Sequence, residues 1–473
     1  MMGDLKSVDG AFETRLRALL PDKVFRPLDP TYQQEPRGLF HGGGGLVLAP
    51  SSTDHVSLII RECAAARVPV VPFGGGTGLV GGQVMPDATP VILSLERMTR
   101  IRAVHPSENV LVAEAGAILA DVQAAAASEE RLFPLSLASE GSCRIGGCLS
   151  TNAGGVNVLR YGSARDLCLG IEAVLPDGSI HHGLKRLRKD NTGFDLRALL
   201  CGAEGTLGVI TAASLRLFPK PARNGTALLK VSDPAAALEL LALAQARLGQ
   251  GISAFELIKG TGLDFLQASG LGGRQPFITR PDWSVLIDLG LGPTQDPEEE
   301  LAQLFTGAER AGLSDDGVIA QSDGQRAALW KLREEIPLAN KTIGAISSHD
   351  ISLPLSAIAD FLDKADAAIA CLGPFRVNAF GHLGDGNLHY NVFPPDGQAA
   401  SDFTAWRKQV RDVVYGLVQQ FDGSFSAEHG IGRLKPNELQ RYGDPARLAA
   451  MRRIKDALDP SGIMNPGVIF PAN

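Results

Sequence analysis

The sequence predicts an α+β protein of more than one domain, and three observations carry that prediction. Short apolar runs of strand length alternate with helical periodicity from Leu46 to Leu217, punctuated by glycine clusters. The Pro219-Lys220-Pro221 run then breaks the pattern, because prolines so close together stop both helix and central strand. Beyond it, strand and helix signals follow in the ferredoxin-like order β-α-β-β-α-β, and the chain finishes in helices. The boundaries that follow are a lead-in over 1–37, a glycine-rich domain over 38–220, a second domain over 221–420 and a C-terminal segment over 421–473.

In the first domain the elements read in order as follows. A helix near Ala11–Leu20 lies in the lead-in, and Val56–Arg67 is the first helix beyond it. Strands fall at Val68–Pro72, Val91–Leu95 and Asn109–Glu114, followed by a helix at Leu119–Ala127. Ile171–Leu175 is a strand running into the turn Pro176-Asp177-Gly178, and Val209–Leu217 closes the half. In the second domain, strand Ala227–Val231 leads to helix Pro234–Leu248, capped by Ser232 or Asp233. Strands Ile252–Ile258 and Val285–Leu289, helix Pro297–Ala311 and strand Val318–Gln321 complete the first round. A second round comprises helix Gln325–Ile336, strand Ile346–Ser352, helix Ser356–Cys371, a hairpin, helix Ser401–Phe421 and strand Ser424–Glu428. Helices near Glu438–Arg441 and Arg447–Leu458 end the chain.

Composition excludes several classes. With 473 residues there is length for two or three cores, and 44% hydrophobic with 21% charged residues is an ordinary soluble, globular balance. A net charge of -7 without a Lys/Arg block gives no footprint for nucleic acid. Six scattered cysteines without a Cys-x-x-Cys pair argue against disulfides or a cysteine zinc site. No stretch reaches the ~18 apolar residues of a membrane span. The stretch Met1–Pro21, with Asp4, Asp9 and Glu13, resembles neither a signal nor a transit peptide. A cytoplasmic location is the expectation.

The excess glycine (54 residues) sits in clusters, which suits backbone approaching a ligand. Pro72-Phe-Gly-Gly-Gly-Thr-Gly-Leu-Val-Gly-Gly82 contains the formal G-x-G-x-x-G of Gly76–Gly81, with Glu96 twenty residues after Gly76. A dinucleotide fingerprint of the Rossmann kind must open a long helix, and Pro86, Pro90 and the strand at Val91 forbid one. The loop amides themselves must then cradle phosphate as an anion nest. A second cluster runs from Leu137 to Gly155. A third spans Asp190–Asp195 and Gly202–Ile210. Three such segments suit a long, polyhydroxylated, phosphorylated ligand.

The most chemical stretch is Asn378-Ala-Phe-Gly-His-Leu-Gly-Asp-Gly-Asn-Leu-His-Tyr-Asn391. Asp385-Gly386 suits a two-residue type I′ turn. Folding about it sets Gly384 opposite Asn387, Leu383 opposite Leu388 and His382 opposite His389. Two imidazoles so placed can grip a metal ion, with Asn391 on the same face. The third ligand should be acidic, and Ser426-Ala-Glu-His-Gly-Ile-Gly432 offers Glu428, with His429 beside it if the backbone bends at Gly430. His₂Glu with open positions is a catalytic rather than a structural zinc-type set.

Together these segments resemble the FAD-binding domain of vanillyl-alcohol-oxidase-type flavoenzymes, so that 38–220 is expected to be a two-subdomain FAD-binding domain. The resemblance implies flavin contacts from Pro72, Gly74, Gly75, Gly76, Thr77, Gly78, Leu79 and Gly82 in the pyrophosphate loop. It implies a second flavin segment of Ser136, Ser139, Gly141, Gly146, Gly147, Thr151, Asn152, Gly154 and Gly155. The third comprises Glu204, Gly205, Gly208, Val209 and Ile210. Covalently flavinylated relatives carry His where this chain has Thr77, so FAD is expected to be non-covalent.

The hairpin, Leu329-Trp-Lys-Leu-Arg-Glu334 and Asp459-Pro-Ser-Gly-Ile-Met-Asn-Pro-Gly467 resemble the D-2-hydroxyglutarate and D-lactate dehydrogenases of this flavoprotein family. That implies metal ligation by His382, His389 and Glu428, with zinc the first choice. It also implies substrate contact by Arg333 and Asn391, proton abstraction by His429 and a flavin contact at Asn465. The implied reaction oxidises a D-2-hydroxy acid to its 2-oxo acid and passes electrons to an electron-transfer flavoprotein, a quinone or a cytochrome; a homodimer is compatible. Alternatives are a D-lactate dehydrogenase, a flavin subunit of a glycolate-oxidase-like complex, or the non-redox alkyl-glycerone-phosphate synthase type on the same fold. Two positions depart from the hydroxyglutarate pattern: Pro337 stands where those enzymes carry Thr, and Ser348 where they carry Lys.

Overall fold

A computed structural model describes residues 5–471, which divide into two units. Unit 1 comprises the chain up to Gly154, Gly162–Lys220 and everything from Glu428 onward. Unit 2 comprises Gly155–Tyr161 and Pro221–Ala427.

Unit 1 holds two main sheets. In the first, Leu46–Leu48, Val91–Ser94 and Val70–Phe73 are parallel, with Phe25–Arg26 antiparallel at the edge. The crossover helix Thr53–Ala66 starts at a Ser52 cap, whose Oγ accepts from His55 N–H. It stops at Arg67, in left-handed conformation (φ 59°). The lead-in is thus part of this sheet, and Tyr32 packs in a core cluster with Val47, Phe73 and Ile92. Glu96, the acid twenty residues after Gly76, serves that packing: it accepts from Tyr32 Oη at 2.6 Å and pairs with Arg26 at 3.1 Å. The second sheet is antiparallel, in the order Ile101–His105, Val110–Glu114, Val209–Arg216, Cys168–Val174, Ile180–Gly183. Its two edge strands are half-exposed and short of apolar alternation, which is why the sequence did not announce them.

Unit 2 is built on one seven-stranded antiparallel sheet, so the two predicted rounds merge. Its order is Gly317–Ile319, Arg223–Val231, Trp283–Leu291, Ile252–Lys259, Arg376–His382, Asn387–Phe393, Ser347–Ser352. Leu228, Ile258, Leu286, Phe380 and Phe393 of the sheet bury against Leu329, Leu332 and Ile336 of helix Asp323–Ile343. That helix runs past Ile336, where the sequence predicted its end, because its apolar face continues to Ala339. Pro337 lies inside it and has no N–H to give, so the Arg333 carbonyl loses its usual partner one turn on. The strand predicted at Ser424–Glu428 does not form. Ser424 makes a single bridge to Ser352, and residues 427–429 bend.

Candidate functional site

The hairpin of unit 2 corrects one expectation and keeps its consequence. His389 faces Phe380 and Asn391 faces Asn378; His382 instead pairs with Glu256 on the neighbouring strand. The turn is longer than two residues, because Leu383–Asp385 forms a 3₁₀ turn and Gly386 follows with φ 82°. The register is therefore displaced by two. Side chains alternate with period two, so a shift of two returns the same face. His382 and His389 still meet, with ring centroids 5.7 Å apart and planes at 80°.

Each imidazole has a buried carboxylate at its Nδ1. Glu256 Oε1 lies 2.7 Å from His382 Nδ1, and Asp350 Oδ1 lies 3.9 Å from His389 Nδ1. The first is a hydrogen bond and the second only an electrostatic neighbour. Asp350 is also the direct cross-strand partner of His389, and Asn387 Nδ2 donates to it at 3.0 Å. With Nδ1 hydrogen-bonded to Glu256, His382 is left with Nε2 as the nitrogen it would give to a metal. The chain just before Glu428 is tied to the same place, since Ala427 N–H donates to the Asp350 carbonyl at 3.3 Å.

Glu256 is the residue that sequence reasoning missed. It has no exposed surface, sits mid-strand in Ile252–Lys259, and uses Oε2 to accept from Arg333 Nε at 2.7 Å. Burial pushes its carboxyl up, but the charges and hydrogen bonds of His382 and Arg333 outweigh burial and hold it at about 2. One acid in an apolar strand, Ala254-Phe-Glu-Leu257, was the available signal. Arg333 is itself only 5% exposed and lies 4.8 Å over the Phe380 ring, unlike an arginine on a solvated helix face. Asn391 is buried too, with Nδ2 donating to the His389 carbonyl at 3.1 Å. Pro337 and Ser348 are exposed, and Ser348 stands opposite Asn391 on the edge strand.

In unit 1 the Gly74–Leu79 loop follows a strand and opens no helix. Among the described residues, none of the backbone N–H groups from Gly74 to Leu79 has a protein acceptor. Gln83 Nε2 braces the loop from its carbonyl side, donating to Gly78 O at 2.7 Å. A run of unengaged amides with the carbonyls held back is the donor set that an anionic pyrophosphate needs. Gly75 has a second reason to lack a side chain: a Cβ there would stand 2.3 Å from Ser142 O. This packs the first cluster on the second. Thr151 donates its hydroxyl to Gly147 O and braces its own segment, while Asn152 Oδ1 accepts from Ser163 Oγ and Arg165 N–H and ties that segment to the chain that follows it. Gly205 (φ 73°) packs against Pro72, where a Cβ would come within 2.9 Å.

Glu204 works on the C-terminal return. Its carboxylate accepts from Ile431 N–H at 2.8 Å and Gly432 N–H at 2.7 Å, and burial raises its pKa against the pull of those bonds. Asn465 Nδ2 donates to the carbonyls of Gly82 and Glu204 at 3.0 and 2.8 Å, joining the first and third clusters. Gly430 (φ 78°) supplies the bend that separates His429 from the clamped stretch. Gly154 leaves room for an acid: a Cβ there would lie 2.6 Å from Glu428 Oε1.

Comparisons with known proteins agree with this architecture. Residues 220–469 match the family described as FAD linked oxidases, C-terminal domain, and residues 45–183 match an FAD binding domain. The mitochondrial D-2-hydroxyglutarate dehydrogenase of Arabidopsis thaliana is 38% identical over 91% of this chain and 76% of its own length. The D-2-hydroxyglutarate dehydrogenase of Xanthomonas citri pv. viticola is 37% identical, over 90% of this chain and 89% of its own. Among solved structures, p-cresol methylhydroxylase superposes with a TM-score of 0.78 over 99% of both chains at 15% identity. An alkyldihydroxyacetonephosphate synthase superposes with a TM-score of 0.71 at 16% identity, over 98% of this chain and 86% of that one. At such identities these two share the fold, which fixes the FAD-binding domain as the vanillyl-alcohol-oxidase type. The chain belongs to the FAD-linked oxidase family and is an FAD-dependent oxidoreductase.

Proposed function

We propose that this oxidoreductase converts a D-2-hydroxy acid, D-2-hydroxyglutarate first, to the 2-oxo acid, using a divalent cation as well as FAD. The observation that carries the reading is the pair His382 and His389, turned toward one another and each backed by a buried carboxylate. Relatives from a plant and a bacterium named for D-2-hydroxyglutarate support the substrate.

His382, His389 and Glu428 are the three side chains that would each give one atom to the cation. Two imidazoles and a carboxylate suit zinc, with manganese or cobalt as substitutes. The cation supplies Lewis-acid polarisation of the 2-hydroxyl, and bound FAD supplies the two-electron oxidant. Arg333 presents its Nη donors to the 1-carboxylate, since its Nε edge is committed to Glu256. Asn391 orients the substrate, and His429 takes the hydroxyl proton as the C2 hydride departs. The unengaged amides of Gly74–Leu79 receive the pyrophosphate, and Thr77 offers no imidazole for a covalent link. Acid or heat should therefore release the flavin as free FAD.

Electrons leave to an electron-transfer flavoprotein, quinone or cytochrome. A yeast relative, 33% identical, is named a D-2-hydroxyglutarate–pyruvate transhydrogenase, which makes a 2-oxo acid a further acceptor to test. D-Lactate is the second substrate reading, favoured by Ser348 and Pro337. All six cysteines are free, which suits a reducing, cytoplasmic setting, and no helix among the described residues is long and apolar enough to cross a membrane. A panel of D- and L-2-hydroxy acids assayed by reduction of an artificial acceptor tests the reading. Turnover of L-acids alone, or of none, would refute it.

A further inference from the structure

We propose that Glu256 is a positioning residue that sets His382 and Arg333 together, and so couples cation affinity to capture of the substrate's 1-carboxylate. The inference rests on the site reading above and adds to it a residue that touches neither substrate nor cofactor.

The geometry is a single carboxylate with its two oxygens divided between two functional side chains. Oε1 meets His382 Nδ1 and Oε2 meets Arg333 Nε, both at 2.7 Å, and neither Glu256 oxygen reaches solvent. A proton held on Nδ1 by a carboxylate leaves the Nε2 lone pair for a cation and makes the ring more basic. The same acid fixes the guanidinium at its Nε edge, while Phe380 supports its face at 4.8 Å. Phe380 is the cross-strand partner of His389, and their ring centroids lie 5.0 Å apart, so the five side chains form one packed unit. Glu256 has little freedom of its own. Its strand is paired on both sides, through Leu286 and through His382. Displacing it moves a metal ligand and the carboxylate receptor at once.

Glutamine cannot replace it. An amide offers one acceptor and one donor, whereas this position faces two N–H groups. Glu256→Gln can satisfy His382 or Arg333, and its NH₂ opposes the other. Aspartate keeps both acceptors on a stem shorter by one methylene. Asp288 is the natural control: another buried acid of the same sheet, held by Arg326, Trp330 and Thr226, with no tie to His382 or Arg333.

The test uses the flavin-loaded protein without turnover. Zn²⁺ and Mn²⁺ affinity is measured by competition with a chromogenic chelator, and 2-oxoglutarate binding by perturbation of the flavin absorbance. Glu256→Gln should weaken both by about 10- to 100-fold, the range seen for carboxylates behind metal-bound histidines. Glu256→Asp should weaken both by less. Asp288→Asn should lower thermal stability and leave both affinities unchanged. A folded Glu256→Gln with wild-type affinities overturns the inference. Should that variant not fold, wild-type affinities in Glu256→Asp overturn it equally. His382→Ala and His389→Ala separate the two layers: if they bind cation like the wild type, the metal reading itself fails; if they lose it while Glu256 variants do not, only the role of Glu256 fails.

Discussion

Glu204 Oε2 accepts the backbone N–H of Gly432 at 2.7 Å, across 228 residues of sequence. Its other oxygen takes Ile431 N–H, so an acid of the third glycine cluster acts as a clamp on the loop that carries His429.

Removing that clamp should separate catalysis from flavin binding. Hydrogen bonds to a charged acceptor contribute roughly 1.5–3 kcal/mol each. Glu204→Ala should lower kcat by at least about tenfold, while the pyrophosphate loop keeps its flavin. Glu204→Gln, which retains one acceptor, should fall between. Stopped-flow reduction of the flavin with a visible spectrum of the resting protein makes the comparison. Loss of flavin in parallel with kcat would assign Glu204 to the cofactor instead.

Cation removal should silence the protein reversibly. Dialysis against a strong chelator is predicted to abolish dye reduction without bleaching the flavin band, and Zn²⁺, Mn²⁺ or Co²⁺ to restore it in differing degrees. His382→Ala, His389→Ala and Glu428→Ala should lose that rescue. Full activity after exhaustive chelation, verified by elemental analysis, would make the histidine pair structural.

Ser348 is exposed on the edge strand opposite Asn391, where a longer cationic side chain can be added without disturbing the core. Ser348→Lys should favour D-2-hydroxyglutarate over D-lactate by on the order of 10- to 150-fold in kcat/KM, the equivalent of one charge-assisted hydrogen bond. A wild-type preference for the dicarboxylate that the substitution does not change would show that another cation, such as Lys341 or Lys435, already serves.

Acid stability has an identifiable contributor in Glu114. Burial pushes its carboxyl up, but bonds from Arg100, at 2.7 Å to Nη2 and 3.0 Å to the backbone N–H, with the Arg102 charge, leave it below the ordinary value. A depressed folded pKa means stability that is present above the unfolded value and lost as pH falls through the folded one. Tm of the wild type should therefore fall below about pH 4.5, and Glu114→Gln should have a lower Tm at neutral pH with a shallower acid limb. Parallel curves for the two proteins would remove Glu114 from that role.

The sequence disclosed the parts whose signals are local. Asp385-Gly386 announced a hairpin, the prolines at 219 and 221 a break, and Pro86 with Pro90 the absence of a helix after Gly82. His382 and His389 could be placed on one face because strand parity survives an error of two in register. What stayed hidden depends on long-range pairing. The Glu256 bonds span 77 residues to Arg333 and 126 to His382, and nothing in a local window marks a buried acid as their common partner. Short half-exposed edge strands such as Ile180–Gly183 and the small-residue helix Ile145–Thr151 lack the periodicity that betrays stronger elements. No local window shows that the Glu204 and Asn152 side chains also tie separate backbone segments together, or that the Thr151 hydroxyl bonds back to Gly147 O.

The most direct measurement is an anaerobic titration of the cation- and flavin-loaded protein with D-2-hydroxyglutarate, followed at the visible flavin band. The D-isomer should bleach the band with one 2-oxoglutarate formed per flavin, the L-isomer should leave it intact, and His429→Ala should slow the bleaching by about 100-fold or more, as loss of a general base does. A flavin that stays oxidised with D-2-hydroxyglutarate, D-lactate and D-2-hydroxybutyrate alike would contradict the account.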